Sequence, residues 1–519
     1  MTITTTPQPT RLRADADAPG NLAAHLAALV ELRGWTGRPA FHQGHRAHSH
    51  GEIHDLAARA ATVLADHGVR PGDRVLLALP DSVTWVTTFL ALARLGAVAV
   101  LVNPELTPPG IQFMAEDAEA VLWVTGPGLD HHIPACTGTT GVPAPRLGAD
   151  QLSALSTTAT PMETAHPVDA HSPLYVQYTS GTTGRPKGVV HVHGDPRTYH
   201  DLIGRRLLRI TPDDVTLSVS RLYFAYGFGN ALVFPLFSGS SAVLADRRPT
   251  SAAVDELVAR HRVTLLYSVP SAYAALVTDL VGGHEDCFAS VRAAVSAGEG
   301  MPDGLGRQVT ELLGAPVLEQ IGSTEAGHAF CANGFDHNRP GTVGRPVPGF
   351  EVELRDRAGN LVPDGETGEL WVRGPTVTPG YLNRPEETAR AIVGGWLNTR
   401  DRARRVPDGT YRHLGRADDM EMVGGITVSP LEVEALLRTH PGVRDVAVAA
   451  VTDERGASKL RAFAIPVPPI GAGLEAELIR MAREGLAPFK VPRSVSFVPT
   501  LPRTATGKLR RHLVRRGAW

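Results

Sequence analysis

Residues Tyr178 to Gly188 read Y-T-S-G-T-T-G-R-P-K-G, and the side chains in this run are of the kinds that hold phosphate. Hydroxyls at Thr179, Ser180, Thr182 and Thr183, glycines at Gly181, Gly184 and Gly188, and the cations Arg185 and Lys187 stand together. They combine close backbone approach, N–H donors and positive charge, all of which a polyphosphate requires. The run is not the G-x-x-x-x-G-K-[ST] loop, because Pro186 precedes the lysine and no Ser or Thr follows it to hold magnesium. An acid able to ligate a metal must come from another part of the chain.

Apolar runs flank this loop: Leu174 to Tyr178 leads in and Gly188 to Val192 leads away. Upstream, helical spacing over Asn21–Arg33 and Ile53–His67 gives way to alternation. Arg74–Leu79, Ala97–Val102 and Ala120–Val124 read as strands and Val83–Leu95 as a helix, a pattern that predicts a parallel sheet covered on both faces. Residues 126–172, rich in Gly, Pro, Thr, Ala and His, read as loop and short irregular pieces. The alternation resumes with strands at Val263–Val269, Val291–Ser296 and Pro316–Ile321 and a helix at Ala272–Leu280. Beyond Gly341 short strands around Asp364-Gly365-Glu366 suggest a small β-barrel or meander. A charged joint at Gly415–Asp419 precedes a compact unit: a helix capped by Ser429 with Pro430 in its first turn, strands at Val446–Val451 and Leu460–Pro466, a helix at Leu474–Leu486, then a tail. The fold class is α/β: a large N-terminal part of several subdomains, residues 21–416, and a small α+β C-terminal domain, residues 417–519, after a disordered lead-in over 1–20.

At 519 residues the chain is too long for one core. Hydrophobic content of 43% and charged content of 20% are those of a globular protein, and a net charge of −2 favours neither nucleic acid nor an anionic membrane as partner. Cys136, Cys287 and Cys331 are scattered, which speaks against a disulfide framework or zinc site and suits a reducing cytoplasm. The apolar stretch Val83–Val102 is interrupted by Thr87, Thr88, Arg94 and Gly96, so helix followed by strand is expected rather than a membrane span. His191 and His193 read as ordinary neighbours without a partner cluster.

The loop at 178–188 resembles the signature of the adenylate-forming superfamily, which contains acyl-CoA and aryl-CoA ligases, stand-alone adenylation domains and firefly luciferase. Further strings arrive in that family's order from about residue 20 to residue 512. The resemblance implies an enzyme that joins a carboxylic acid to AMP from ATP and then passes the acyl group to CoA, with magnesium. It assigns Thr179, Ser180, Gly181, Thr182, Thr183, Gly184 and Lys187 to the β- and γ-phosphates. It assigns Gly322, Ser323 and Thr324 to the α-phosphate side and Glu325 to magnesium. Gly298 and Glu299, in S-A-G-E, match the adenine-side segment. Asp401 matches the ribose-binding aspartate, although the usual glycine before it is Arg400 here. Arg416 matches a nucleotide contact, and Asp418 the hinge. P-R-T-A-T-G-K ending at Lys508 matches the catalytic-lysine motif. Gly424 and Gly425 match the loop that lines the CoA channel once the C-terminal domain has rotated; Met422 stands where many relatives carry lysine.

A narrower likeness concerns the acid. L-Y-F-A-Y-G-F-G-N, residues 222–230, resembles the F-F-A-Y-G-L-G-N segment of benzoate-CoA ligases, and His328 three residues after Glu325 fits the same pattern. This implies an aromatic-acid pocket walled by Ala225, Tyr226, Gly322, His328 and Ala329. Ala326, Gly327 and Ala329 stand where benzoate ligases carry bulkier residues, so a substituted benzoate or a cinnamate-like acid is expected. Other acceptors or acids remain as alternatives, among them a carrier protein or nitrite for coupling to an aryl amine. With the chain ending eleven residues after Lys508, no attached carrier domain is expected. Retention of Lys187, Glu325, Asp401, Arg416 and Lys508 speaks against a degenerate nucleotide-binding protein. A cytoplasmic monomer or homodimer is expected, with no nucleic-acid or membrane partner.

Overall fold

The computed structural model describes residues 20–126, 129, 144–180, 186–280, 285–302, 304–416, 421–423, 426–452, 458–470, 473–503 and 509–517. The expected lead-in up to residue 19, and the predicted site residues Gly181, Thr182, Thr183, Gly184, Asp418, Gly424, Gly425 and Lys508, lie outside the described residues. Of Ser180 and Met422 only the backbone is described.

Two large sheets carry the site. In the first the strand order is Arg146–Gly148, Leu122–Thr125, Arg74–Ala78, Val98–Leu101, Pro173–Ser180 and Pro186–Val192. It is parallel up to the final pair, Pro173–Ser180 and Pro186–Val192, which is antiparallel. The second has a parallel centre of Val317–Gly322, Ala293–Ser296, Leu265–Ser268, Val215–Ser218, Ser241–Leu244 and Pro39–Gln43. Antiparallel strands border it at both edges.

Helix Val83–Leu95 is buried almost all round. The Ser82 side chain accepts from Trp85 N at its start, and Gly96 in the left-handed region ends it, so that Val98–Leu101 begins at once. That turn explains the apolar run Val83–Val102. No helix among the described residues is long and apolar enough to cross a membrane.

Two local expectations need correction. Residues 126–172 are not all irregular: strand Arg146–Gly148 extends the first sheet and helix Ala149–Thr158 follows it. Only Leu152 and Ser156 of that helix are buried, so it lacks a strong apolar period. It docks on helix His50–Asp66 nonetheless, and the residues just after it accept from that helix: Arg59 Nη1 donates to the Ala159 carbonyl at 2.7 Å and Thr62 Oγ1 to that of Thr160 at 2.7 Å. Ser429 occupies the N-cap position of helix Pro430–Arg438 without capping it; its hydroxyl donates instead to the Leu414 carbonyl at 2.8 Å, across the joint. The C-terminal tail contains helix Arg511–Arg516.

Beyond residue 350 a five-stranded antiparallel sheet is built from Glu351–Arg355, Thr367–Arg373, Trp396–Arg405, Ile392–Val393 and Tyr411–Arg416. The last unit is a three-stranded sheet, Val443–Thr452, Ser458–Pro466 and Ser494–Phe497. Helices Pro430–Arg438 and Leu474–Gly485 pack on one face through Val433, Leu437, Leu478 and Ala482. Arg511–Arg516 packs on the other through Val514. Arg511 makes a bidentate pair with buried Glu434 at 2.7 and 2.8 Å, and Glu434 also accepts from Val448 N. A fully hydrogen-bonded fork of this kind offsets the desolvation of both charges. It fixes the helix that directly follows the lysine motif, whose stems are paired by a bridge between Arg503 and Leu509.

Candidate functional site

Strand Val317–Gly322 ends at the edge of its sheet where the parallel strands have their C-termini, and the chain turns there through Thr324–Ala326. Ser323 caps that turn by accepting from Ala326 N. The neighbouring strand Ala293–Ser296 delivers Gly298 and Glu299 to the same edge. Glu299 uses both carboxylate oxygens on Ser271, accepting from its N–H at 3.0 Å and its hydroxyl at 3.1 Å.

The Thr324 turn is held from the other sheet. His191, on the strand that also carries Lys187, donates from Nε2 to the Thr324 carbonyl at 2.7 Å, while its Nδ1 lies 2.8 Å from Asp195 Oδ2. Its ring stacks on Tyr175 with centroids 5.0 Å apart. His191 is therefore part of the framework of the site, not an ordinary histidine. His193 has a local structural task, accepting from Leu22 N at 3.1 Å.

Glu325 meets a residue that sequence reasoning missed. Tyr381 donates its hydroxyl to Glu325 Oε1 at 3.0 Å, and its ring lies 5.2 Å from Lys187 Nζ. Thr378 N donates to the Glu325 carbonyl at 2.7 Å, and Leu382 N to that of Gly188 at 2.7 Å, so residues 378–382 join the two sheets. Burial and the Glu325 carboxylate push the Tyr381 phenol well up, partly opposed by Arg400 and Arg416. Among the described residues no group of three or more His, Cys, Asp or Glu could hold a metal. Magnesium, however, is commonly bound through one or two carboxylates together with nucleotide phosphates. A single glutamate joined through Tyr381 to Lys187 fits that mode rather than a protein cage.

The five-stranded sheet supplies Asp401 and Arg416, which face each other in register. Asp401 is buried, accepts from His413 Nε2 at 3.1 Å and lies 4.0 Å from Arg416 Nη1. Burial alone would raise its pKa, but the bond from His413, the Arg416 charge and the Thr399 hydroxyl hold it below the ordinary carboxylate value. His413 too was missed; it stands opposite Ala403 on the paired strand, and only that pairing brings its ring within reach of Asp401.

The residues expected to wall the acid pocket gather around His328. Ala225 and Tyr226 are half-buried on the short helix Ala225–Phe228, which runs into a π-helical turn at Gly229–Val233. The Phe228 ring is core, 4.6 Å from Tyr175, so only part of the aromatic run faces the site. His328 Nε2 pairs with Asn230 Oδ1 at 3.0 Å and the ring lies 5.8 Å from that of Tyr226. Two glycines permit this approach: a Cβ on Gly229 would stand 2.2 Å from His328 Cδ2, and one on Gly322 would stand 2.4 Å from the His328 carbonyl. Ala329, buried, begins the strand paired to Gly322. Burial drives the His328 pKa down to about 3, so the imidazole is neutral. Among the described residues His328 Nδ1 and Asn230 Nδ2 have no hydrogen-bond partner. Beside the Glu299 segment, a cavity of about 410 Å³ separates Ser268, Ser271 and Tyr273 from Asp445 and Arg503.

Two largely parallel sheets whose adjoining ends present Lys187, Thr324 and Glu325, an antiparallel sheet that supplies Asp401, and a small α+β unit after them define an adenylate-forming fold. The chain belongs to the AMP-binding enzyme family: the family model matches residues 30–382, and that of the AMP-binding enzyme C-terminal domain matches residues 432–508. It is 40% identical to the p-hydroxybenzoic acid–AMP ligase FadD22 of Mycobacterium tuberculosis, across 96% of this chain and 69% of that protein. It is 36% identical to the benzoate–CoA ligase of Thauera aromatica, across 95% of each. A solved benzoate CoA ligase from Burkholderia xenovorans superposes with a TM-score of 0.87 at 34% identity, covering 95% of this chain and 99% of that one.

Proposed function

We propose that this chain activates a substituted benzoate or cinnamate-like acid with ATP and transfers the acyl group to CoA. A carboxylate oxygen of the acid attacks the α-phosphorus, the α–β P–O bond breaks and pyrophosphate leaves. In the second step the CoA thiol attacks the acyl carbonyl and AMP departs with the bridging oxygen. The observation that carries this reading is the junction at which Lys187 and Tyr381 meet Thr324 and Glu325, because it gathers phosphate-binding and carboxylate groups from both sheets at one edge.

In this reading Thr179, Ser180, Gly181, Thr182, Thr183, Gly184 and Lys187 hold the β- and γ-phosphates, and Thr324 with Gly322 and Ser323 orients the α-phosphate. Lys508 bridges acid and α-phosphate in the first step only. Gly298 and the Glu299 segment face adenine, while Asp401 and Arg416 take the ribose. Magnesium at Glu325 would supply positive charge on the phosphates. Ala225, Tyr226, Gly322, His328 and Ala329 wall the aryl ring. Rotation about Asp418, between residues 21–416 and 417–519, would exchange Lys508 for Gly424 and Gly425, which would line the thiol channel.

One relative, 40% identical, is named as an acid–AMP ligase, which favours a second reading with an acceptor thiol other than CoA, such as a carrier protein. ATP–pyrophosphate exchange over a panel of aromatic acids, followed by thioester assays with and without CoA, tests both. Exchange with benzoates and CoA-dependent AMP release are expected. Exchange without CoA turnover supports the second reading, and absence of exchange with every acid overturns both.

A further inference from the structure

Asp81 lies in the turn between strand Arg74–Ala78 of the first sheet and helix Val83–Leu95, and it is buried. Its carboxylate serves the stretch of chain that leads into Ala225 and Tyr226. Oδ1 accepts from Leu222 N at 3.1 Å, and Oδ2 lies 3.4 Å from Nε of Arg221, which is buried as well. Arg221 Nη1 donates onward to the Arg247 carbonyl at 3.0 Å. One ion pair thus joins residue 81, residues 221–222 and residue 247.

The backbone gripped by this pair is the one on which helix Ala225–Phe228 is built. The Arg221 carbonyl accepts from Phe224 N at 3.0 Å, and that of Phe224 from Phe228 N at 2.8 Å. Gly227 packs on the same turn: a Cβ there would stand 2.1 Å from the Arg221 carbonyl oxygen and 2.4 Å from that of Ser220. The helix and the Arg221 turn therefore shift together. The turn that carries Asp81 is itself anchored, since Ser82 Oγ accepts from Trp85 N at 3.1 Å and Val83 N donates to Gln43 Oε1 of the second sheet at 2.7 Å. A buried ion pair adds little stability over apolar side chains of similar volume, so stability alone gives no reason for one here. Charged groups whose hydrogen bonds end on backbone atoms of separate segments hold those segments in one arrangement.

We propose that Asp81 is a positioning residue for the aromatic acid: through Arg221 and Leu222 N it sets where Ala225 and Tyr226 stand against His328. The assignment rests on the acid-pocket reading above, and its test reads the acid and ATP separately. Pyrophosphate exchange by the full chain gives the KM for the best aromatic acid and for ATP in wild type, Asp81→Asn and Arg221→Lys, together with melting temperatures. Burial raises the Asp81 carboxyl to about 6 against the opposing pull of Arg221 and Leu222 N, so the assays are run at pH 8, where it is ionised.

Asp81→Asn keeps an oxygen for Leu222 N and removes the charge facing Arg221. It is expected to raise the KM for the acid roughly 10- to 100-fold, the scale of a misplaced substrate. The KM for ATP should stay within about twofold, because the nucleotide residues lie on other elements. Arg221→Lys keeps the charge but lacks the fork that spans Asp81 and the Arg247 carbonyl, so a several-fold rise confined to the acid is expected. The melting temperature should fall in Asp81→Asn, which leaves a buried guanidinium unpaired, and much less in Arg221→Lys. If the asparagine variant does not fold, the lysine variant decides. An equal rise in both KM values, a loss of kcat with both KM values unchanged, or no change each overturns the assignment. A wild-type chain in which no aromatic acid supports exchange overturns the acid-pocket reading itself, and the role of Asp81 falls with it.

Discussion

His191 Nε2 and the Thr324 carbonyl oxygen stand 2.7 Å apart, and this one bond ties the strand that bears Lys187 to the turn that bears Glu325. His191→Phe keeps the ring that stacks on Tyr175 but leaves Asp195 and the Thr324 carbonyl without it. Each acceptor keeps a backbone donor, Val192 N on Asp195 and Gly327 N on the Thr324 carbonyl, so losing the two histidine bonds should cost about 1–3 kcal/mol, read as a shift in the urea midpoint. Pyrophosphate exchange should fall more through kcat than through the KM for the acid, because His191 positions Thr324 and does not line the acid pocket.

Tyr381→Phe tests the junction from the other side. The ring under Lys187 remains while the donor to Glu325 Oε1 is lost. A several-fold rise in the magnesium concentration needed for half-maximal exchange is expected, and Glu325→Gln should raise it further. Unchanged magnesium dependence in Glu325→Gln would remove the role assigned to that carboxylate.

Lys508→Ala should separate the half-reactions. Adenylate formation is expected to slow by roughly 100-fold or more, the scale of losing a preorganised charge at a transition state. Thioester formation from supplied acyl-AMP should be nearly normal. Equal loss in both steps would mean that one arrangement serves both.

Ala329 offers a measure of the acid pocket. It is buried on the strand paired to Gly322, so Ala329→Ile adds volume beside His328. Preference should move toward unsubstituted benzoate, with a change in relative kcat/KM of roughly 10- to 200-fold, since a methylene or two is worth about 1–3 kcal/mol. An unchanged ratio would show that residue 329 does not face the ring.

Several buried histidines give the fold a pH dependence of definite sign. Burial lowers the pKa of His50, His193 and His200 from 6.5 to about 4 and that of His328 to about 3. As pH falls below 6.5 the unfolded chain takes up protons that the folded chain refuses, so stability drops. Each such histidine contributes about 1.4 kcal/mol per pH unit until the folded value is reached. Buried Asp81, raised to about 6, works in the opposite direction as pH falls through that value. Urea unfolding at intervals from pH 8 to 5 should show little change above 7 and a steep fall below 6.5. His200→Phe, in a site lined by Phe234 and Phe237, should remove one histidine's share of the slope.

By itself the amino-acid sequence determined the alternation of strand and helix, the character of the 178–188 loop and the placement of Thr324-Glu325 after a strand. These are written in local order: a continuous apolar run buries both faces wherever it lies, and Val83–Leu95 forms as a helix over the range its spacing predicts. Helix Ala149–Thr158 was not legible, because only Leu152 and Ser156 turn inward and its place is set by hydrogen bonds from Arg59 and Thr62. The partners of polar groups were equally hidden. His191 finds Thr324, Tyr381 finds Glu325 and His413 finds Asp401 through strand register and the packing of one sheet against another. Ser429 looked like a cap from its neighbours but serves Leu414 instead. The positive φ of Arg400 was decided by a bulge measured against another strand. Periodicity records whether a side chain is buried; which acceptor it meets there depends on residues far away in the chain, and only the tertiary structure brings them together.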